Sequence, residues 1–170
     1  MPATYLTRIS LALILAGCAL SAQALQSDYS KPIDVVSEQQ MADLKANRIV
    51  FEGNVEATQG TMKIKADKVE VERASDGKLK SIVAYGNPVT FEQTLDNGKP
   101  IHTNSRTLSY LPQQNLVVLS GRATIWQGES RMTGERIEYN IQTQRMRAEN
   151  QRTQGGRVSS TFVPAELTQE

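Results

Sequence analysis

The chain has 170 residues, the length of one domain. It carries 19 Lys and Arg and 18 Asp and Glu, and Arg8 lies in a predicted targeting segment, so the remainder has a net charge of about zero. Nucleic acid is therefore excluded as the partner, because binding to phosphates needs a basic excess. The one cysteine, Cys18, also lies in the targeting segment, so an exported domain would be held by its core, a partner or a ligand rather than by disulfides.

The N-terminal segment is predicted to be a secretory signal. Its apolar run from Ile9 to Leu20 is too short to span a bilayer, and the letters AQA that end at Ala24 fit a cleavage site. We expect residues 1–24 to be removed and residues 25–170 to form a single domain. An alternative remains open, because the letters LAGC that end at Cys18 fit the lipobox of a lipoprotein anchored through that cysteine.

Two parts of the chain repeat each other. Residues 50–60 align with residues 118–128, and the register continues without a gap until Val71 falls on Tyr139. Weaker copies give markers at Gly53, Gly86, Gly121 and Asn150, so each unit is roughly thirty residues long. A repeat of this kind predicts stacked units that share one continuous core, which suits binding along a surface better than a point-like catalytic site.

Apolar residues in both copies alternate with a period of two, which predicts strands with one buried face. The phase slips by one between Ala66 and Val69 and again between Gly134 and Ile137, so we expect a bulge or corner at the same place in each copy. The segment 37–47 has helix-forming residues, but its place in the repeat and the strand that follows favour a strand.

No catalytic or metal-binding constellation stands out. His102 has no partner nucleophile or ligand cluster in the sequence, and we expect neither a metal nor a cofactor. Carboxylates such as Glu70 and Glu138 alternate with basic residues, which is typical of cross-strand charge pairs on an outer face. A hydrolase with a carboxylate pair stays as an alternative, and loss of activity in a single carboxylate variant would favour it.

The apolar faces have two interpretations. Two walls that pack shut make an ordinary core, which is the usual result of alternating strands, whereas walls that splay would line a hydrophobic groove. The alternation by itself is compatible with both. Phe51 and Leu119 occupy corresponding inward positions of the two copies, so both would line the groove if it exists.

Several motifs taken in order resemble a known family. They are the letters PIDV at 32–35, VFEGNV at 50–55, IKADKV at 64–69, YGNPVTF at 85–91 and DNGKP at 96–100. In this order they are similar to the periplasmic bridge proteins of lipopolysaccharide transport, which belong to the organic-solvent-tolerance (OstA-like) domain superfamily. The similarity covers about Lys31 to Leu167.

The resemblance implies an all-β fold, an open V-shaped antiparallel β-jellyroll built from internal strand repeats. It implies no enzymatic activity. It implies that the protein carries lipopolysaccharide across the periplasm from an inner-membrane transporter component to an outer-membrane translocon, with the lipid A acyl chains between the sheets. Both neighbours and further copies of the chain would join by end-to-end strand pairing, giving a head-to-tail homo-oligomer.

The resemblance also implies positions that contact lipid. Carried over by motif, they are Ile33, Val35, Phe91 and Tyr110. With lipid as the implied ligand, we predict that the inward residues Phe51 and Leu119 contact it as well. Cys18 with its lipobox departs from this soluble family, so an alternative function stays open: a lipid-anchored structural module of the envelope that uses the same β domain. Acyl-chain labelling at Cys18 would favour that alternative.

Overall fold

The structure, a computed structural model, describes residues 28, 31–95, 98–143, 145–150 and 156–163. The predicted signal, its cleavage site and Cys18 lie outside the described residues. No helix in the described part is long and apolar enough to cross a membrane.

The described part contains ten strands and one turn of 3₁₀ helix (Pro112–Gln114). The strands are β1 (Asp34–Val36), β2 (Gln39–Asp43), β3 (Arg48–Gln59), β4 (Met62–Arg73), β5 (Leu79–Thr94), β6 (Pro100–Leu111), β7 (Leu116–Gln127), β8 (Ser130–Asn140), β9 (Arg145–Glu149) and β10 (Ser159–Thr161).

All ten strands form one antiparallel sheet that follows the chain order through β3, β4, β5, β6, β7 and β8. At one end, β2 pairs with the first half of β3 and β1 with its second half. At the other end, β9 pairs with the second half of β8 and β10 with its first half. Each end of the sheet therefore consists of two short strands, and the described ends do not pair with each other.

A line of irregularities crosses the sheet at mid-length. Gly53 and Asn54 of β3 lie opposite a single residue of β4, and Gly121 and Arg122 of β7 lie opposite a single residue of β8. All four have positive φ angles, and glycine adopts this conformation without strain at φ +79° and +80°. The register of β5 also shifts at this level against both of its neighbours. The bulges predicted at equivalent places in both copies are confirmed.

The bulges divide the sheet into two arms. The first arm contains residues 48–52 of β3 and the residues in register with them, and the second arm contains residues 55–59 and their partners. Hydrophobic residues from both arms pack in one core, which includes Phe51, Leu108 and Ile137 from the first arm and Ile125 from the second. The inward faces of the two arms thus meet across the bend.

The opposite face carries the predicted cross-strand charge pairs. Two pairs cross from β4 to β3, because Glu70 accepts from Arg48 at 2.6 Å and Lys68 donates to Glu52 at 3.1 Å, whereas Arg136 donates to Glu138 at 2.8 Å within β8. These pairs are partly exposed, so each adds little to stability. Each pair places opposite charges at neighbouring positions, and all of the paired side chains lie on the outer face.

The predicted strand in segment 37–47 is confirmed. β2 occupies Gln39–Asp43, and a turn follows at 44–47 in which the Asp43 carboxylate accepts from the backbone N–H groups of Lys45 and Ala46. Pairing with β3 overrides the helix propensity of the segment. The all-β class and the unclosed antiparallel sheet are likewise as predicted.

Candidate functional site

The candidate site is the inward face of the sheet, where side chains form rows that cross the strands in register. Two rows lie in the first arm, and the second arm has one row at mid-length and a further level beside the bend that contains Val55, Ala66, Val89, Ser105, Ala123 and Gly134. The outer row of the first arm is Ile49, Val71, Ile82, Tyr110, Val117, Tyr139 and Met146, and the inner row is Phe51, Val69, Ala84, Leu108, Leu119, Ile137 and Ala148. The row of the second arm is Val35, Ala57, Ile64, Phe91, Thr103, Ile125, Met132 and Ser160.

Three predicted site residues lie in the first arm. Phe51 and Leu119 share its inner row and are buried in the core. Tyr110 lies in the outer row, half-buried between Ile82 and Val117. The period-two pattern placed Phe51 and Leu119 on the inward face and the family resemblance pointed to Tyr110, and the contact of all three with lipid stays a prediction.

The other three belong to the second arm or its edge. Phe91 is half-buried and packs against the core from the same row as Val35, which is also half-buried on β1. Ile33 precedes β1 and is 54% exposed. The fold therefore brings Val35 and Phe91 onto one inward row, while Ile33 lies at the open end of that row.

Tyr139 is an inward residue that the sequence prediction of the site missed. It lies in the outer row of the first arm, separated from Tyr110 by Val117. Burial raises the pKa of both tyrosines, so both hydroxyls stay neutral near neutral pH. The repeat already aligned Tyr139 with Val71, and that alignment was the signal that could have found it.

His102 lies on the outer face, away from the apolar rows. Its ring stacks on Trp126 with centroids 5.4 Å apart, and Arg131 lies 5.9 Å from the Trp126 ring. Its Nδ1 is 3.6 Å from a carboxylate oxygen of Glu92. These contacts are structural, because they tie β5, β6, β7 and β8 together. Among the described residues, no group of three His, Cys, Asp or Glu side chains could hold a metal ion.

The two ends of the sheet carry most of the exposed apolar surface. Seven of the eight large, exposed hydrophobic residues in the described part lie on or beside the edge strands β1, β2, β9 and β10. Val36 is 70% exposed on β1, and Phe162 is 55% exposed just after β10. Tyr85, on the central strand β5, is the exception. The large exposed apolar side chains of the described part are therefore concentrated at the two ends of the sheet.

Strand β1 is fastened to the second arm by a residue that precedes it. The buried carboxylate of Asp28 accepts from the Thr61 N–H at 3.1 Å and from the Thr61 hydroxyl at 2.5 Å, at the tip of the β3–β4 hairpin. The Thr61 hydroxyl holds the pKa of Asp28 below its usual range, although burial opposes this. Gly60 leaves the space that Asp28 fills, since a Cβ there would overlap the carboxylate.

Comparison with known proteins identifies the family of the chain. The family described as LptA/(LptD N-terminal domain) LPS transport protein matches residues 34–145, which is more than half of the chain. The chain belongs to this family. The match runs from the first residue of β1 to the first residue of β9, so it spans the inward rows of both arms.

Named relatives of the LptA family cover most of the chain. The lipopolysaccharide export system protein LptA of Escherichia coli (strain K12) is 39% identical over 165 residues, covering 94% of this chain and 88% of LptA. LptA of Haemophilus influenzae is 35% identical over 151 residues, covering 88% and 87%. The lipopolysaccharide export system protein LptH of Pseudomonas aeruginosa is 31% identical over 140 residues, covering 82% and 79%.

A solved structure supports the fold. The crystal structure of Pseudomonas aeruginosa LptH, described as the LptA homologous periplasmic component of the conserved lipopolysaccharide transport device, superposes with a TM-score of 0.72 at 26% identity. The match covers 81% of this chain and 99% of the LptH chain. The predicted fold class, an open V-shaped antiparallel β-jellyroll, is confirmed.

Proposed function

We propose that this protein is a periplasmic, non-enzymatic bridge that carries lipopolysaccharide from an inner-membrane transporter component to an outer-membrane translocon. Family membership and the names of the relatives LptA and LptH support lipopolysaccharide transport and a periplasmic location. The signal predicted at residues 1–24 agrees with export, whether cleavage follows Ala24 or lipidation occurs at Cys18.

The observation that carries the proposal is the continuous apolar inner face between two open ends. Each inward row crosses the sheet from one end to the other, and the half-buried residues Ile64, Phe91 and Met132 line the second arm along its length. Moving an acyl chain from water to the space between the arms would be favourable by about 0.8 kcal/mol of transfer free energy per buried methylene. Across the six long strands these rows are apolar apart from Tyr110, Tyr139 and Thr103, so an acyl chain that follows them toward the next module would meet few polar side chains.

The same rows support a passive mechanism. Ionisable groups of the outer face form pairs such as Arg48 with Glu70 and Arg136 with Glu138, and the two inward tyrosines are neutral near neutral pH. The inward rows of the described strands contain no Asp, Glu, Lys, Arg or His that could transfer a proton to drive movement. The free energy for transport would come from the partner at the inner membrane, and the face need only bind acyl chains with similar strength along its length.

Strand count favours head-to-tail association with partners and with further copies. The path from β1 through β3 to β8 and on to β10 contains eight strands that alternate in direction. Because the number is even, the last strand runs opposite to the first. A second copy added at either end would therefore continue the antiparallel ladder with β10 beside β1 and β9 beside β2. The exposed apolar residues at both ends would be buried in that junction.

Photo-crosslinking in cells tests the proposed function. A crosslinking side chain placed at Phe91 or Ile33 should capture lipopolysaccharide, because both belong to the inward row or its open end. Matched positions at Lys68 and Glu70 lie on the charged outer face and should capture none. Capture at Lys68 and Glu70 without capture at Phe91 or Ile33 would show that the lipid travels along the other face.

A further inference from the structure

Strand β6 carries two hydroxyl groups on the apolar inner face. Thr103 is 4% exposed and Ser105 is 3% exposed, so both are more than nine-tenths buried. Neither side-chain oxygen has a hydrogen-bond partner among the described residues. Buried hydroxyls normally find a partner, because an unpaired polar group in an apolar environment destabilises the fold.

The repeat shows that the fold does not require these hydroxyls. In the row of the second arm, the positions equivalent to Thr103 on β4 and β8 are Ile64 and Met132. Two residues further along each strand, the positions equivalent to Ser105 are Ala66 and Gly134. The strands β4 and β8 therefore fill the same places with apolar side chains or with none, and of these three strands only β6 places hydroxyls there.

The hydroxyls lie where a bound acyl chain would pass. Thr103 is paired in register with Phe91 on one side and Ile125 on the other, and Ser105 is paired with Val89. Ile101 precedes them on the same face of β6, nearer the rim of the second arm. A chain that enters past Ile101 and Phe91 meets Thr103 first and Ser105 behind it, and it displaces the core side chains that cover them.

We propose that the Thr103 and Ser105 hydroxyls form a hydrogen-bonding subsite that recognises an acyl chain bearing a hydroxyl group. The inference rests on the proposed function, since it needs a lipid between the arms. A hydroxyl can both donate and accept, so a hydroxylated chain would satisfy the two side chains that the protein leaves unpaired. A plain hydrocarbon chain leaves them unpaired, and the site therefore selects against it.

The test compares two probes, β-hydroxymyristic acid and myristic acid, on the full chain and on the double variant Thr103→Val, Ser105→Ala. Val has the shape of Thr without the hydroxyl, and the neighbouring repeats already accept apolar residues at both places. Thr90→Val is the matched control, because Thr90 precedes Phe91 on β5 and faces the other side of the sheet. Binding is measured by calorimetry and folding by thermal unfolding.

We expect the unsubstituted protein to bind β-hydroxymyristic acid about tenfold more tightly than myristic acid, as for one well-made buried hydrogen bond. The double variant should lose this preference, keep its affinity for myristic acid and unfold at a higher temperature. The Thr90→Val control should keep the preference. The subsite would be ruled out if the double variant preferred β-hydroxymyristic acid as strongly as the unsubstituted protein does, or if the unsubstituted protein showed no preference between the two acids. If neither acid binds at all, the proposed lipid groove itself fails.

Discussion

At the scale of single residues, the inward face combines support of the fold with a surface for lipid. Phe51 and Leu119 are buried at the same level of the first arm and hold it to the core. Phe91 and Val35 are half-buried in the second arm, where they keep apolar surface available. Residues of the second kind are the better tests of function, because changing them disturbs the core less.

Replacing Phe91 with Asp places an unpaired charge on the inward row where acyl chains would lie. We expect the variant to fold but to fail to support lipopolysaccharide transport, because desolvation of the carboxylate opposes lipid binding. Complementation of a strain that lacks the protein measures transport, and circular dichroism checks the fold. Thr90→Asp is the matched control and should remain functional. Normal transport by a folded Phe91→Asp protein would remove Phe91 from the groove.

Residue patterns predicted which side chains face inward but not how deeply each is buried. Period-two alternation placed Phe51 and Leu119 correctly, because a strand has only two faces, whereas Tyr110 was found through the family resemblance. Depth depends on how closely the arms approach at each level, which alternation does not encode. Thr103 and Ser105 escaped notice for a related reason, since a polar residue in an alternating strand is normally assigned to the outer face.

At the scale of strands, the repeated bulge sets the shape of the molecule. Gly53 and Gly121 occupy the same place in the two copies and have almost the same φ angle. A register shift at one level between every two neighbouring long strands bends the whole sheet, and bending brings the inward rows together. The phase slips in the sequence located this bend, because a bulge shifts the alternation by one residue.

Gly121→Ala should destabilise the protein more than Gly77→Ala. Both glycines have φ near +80°, so both substitutions carry the backbone penalty of about 1 kcal/mol. At Gly121 the added Cβ would also lie 2.8 Å from the Arg106 side chain, whereas at Gly77 it meets nothing within 4 Å. Urea unfolding measures the difference. Equal losses in the free energy of unfolding would mean that the Arg106 side chain moves away from the added Cβ at no energetic cost.

The fastening of β1 should weaken in acid. The lowered pKa of Asp28 means that its stabilising contribution is present above the usual Asp range and is lost as pH falls through the lowered folded pKa. Below about pH 4, exchange of the β1 amides that are hydrogen-bonded to β3 should speed up relative to that of Leu108. Asp28→Asn should show fast exchange of the same amides at neutral pH too. Unchanged protection in that variant would show that strand pairing alone holds β1.

At the scale of the whole molecule, exposed apolar residues at the two ends predict association. Val36→Lys adds a charge to the β1 edge and should reduce the rise of mass with concentration in sedimentation experiments, because edge lysines oppose strand pairing. Tyr85→Lys is the matched control, since Tyr85 is 41% exposed but lies on a central strand. If Val36→Lys associates as well as the unsubstituted protein while Tyr85→Lys does not, the interface lies on the outer face.

The central claim is that the apolar inner face binds lipopolysaccharide, and native mass spectrometry of the protein isolated from the periplasm tests it most directly. We predict that lipopolysaccharide leaves with the protein and that Phe91→Asp, isolated in the same way and shown to be folded, carries much less of it. Lipid equally abundant on both proteins, or phospholipid in place of lipopolysaccharide on the unsubstituted protein, would contradict the account.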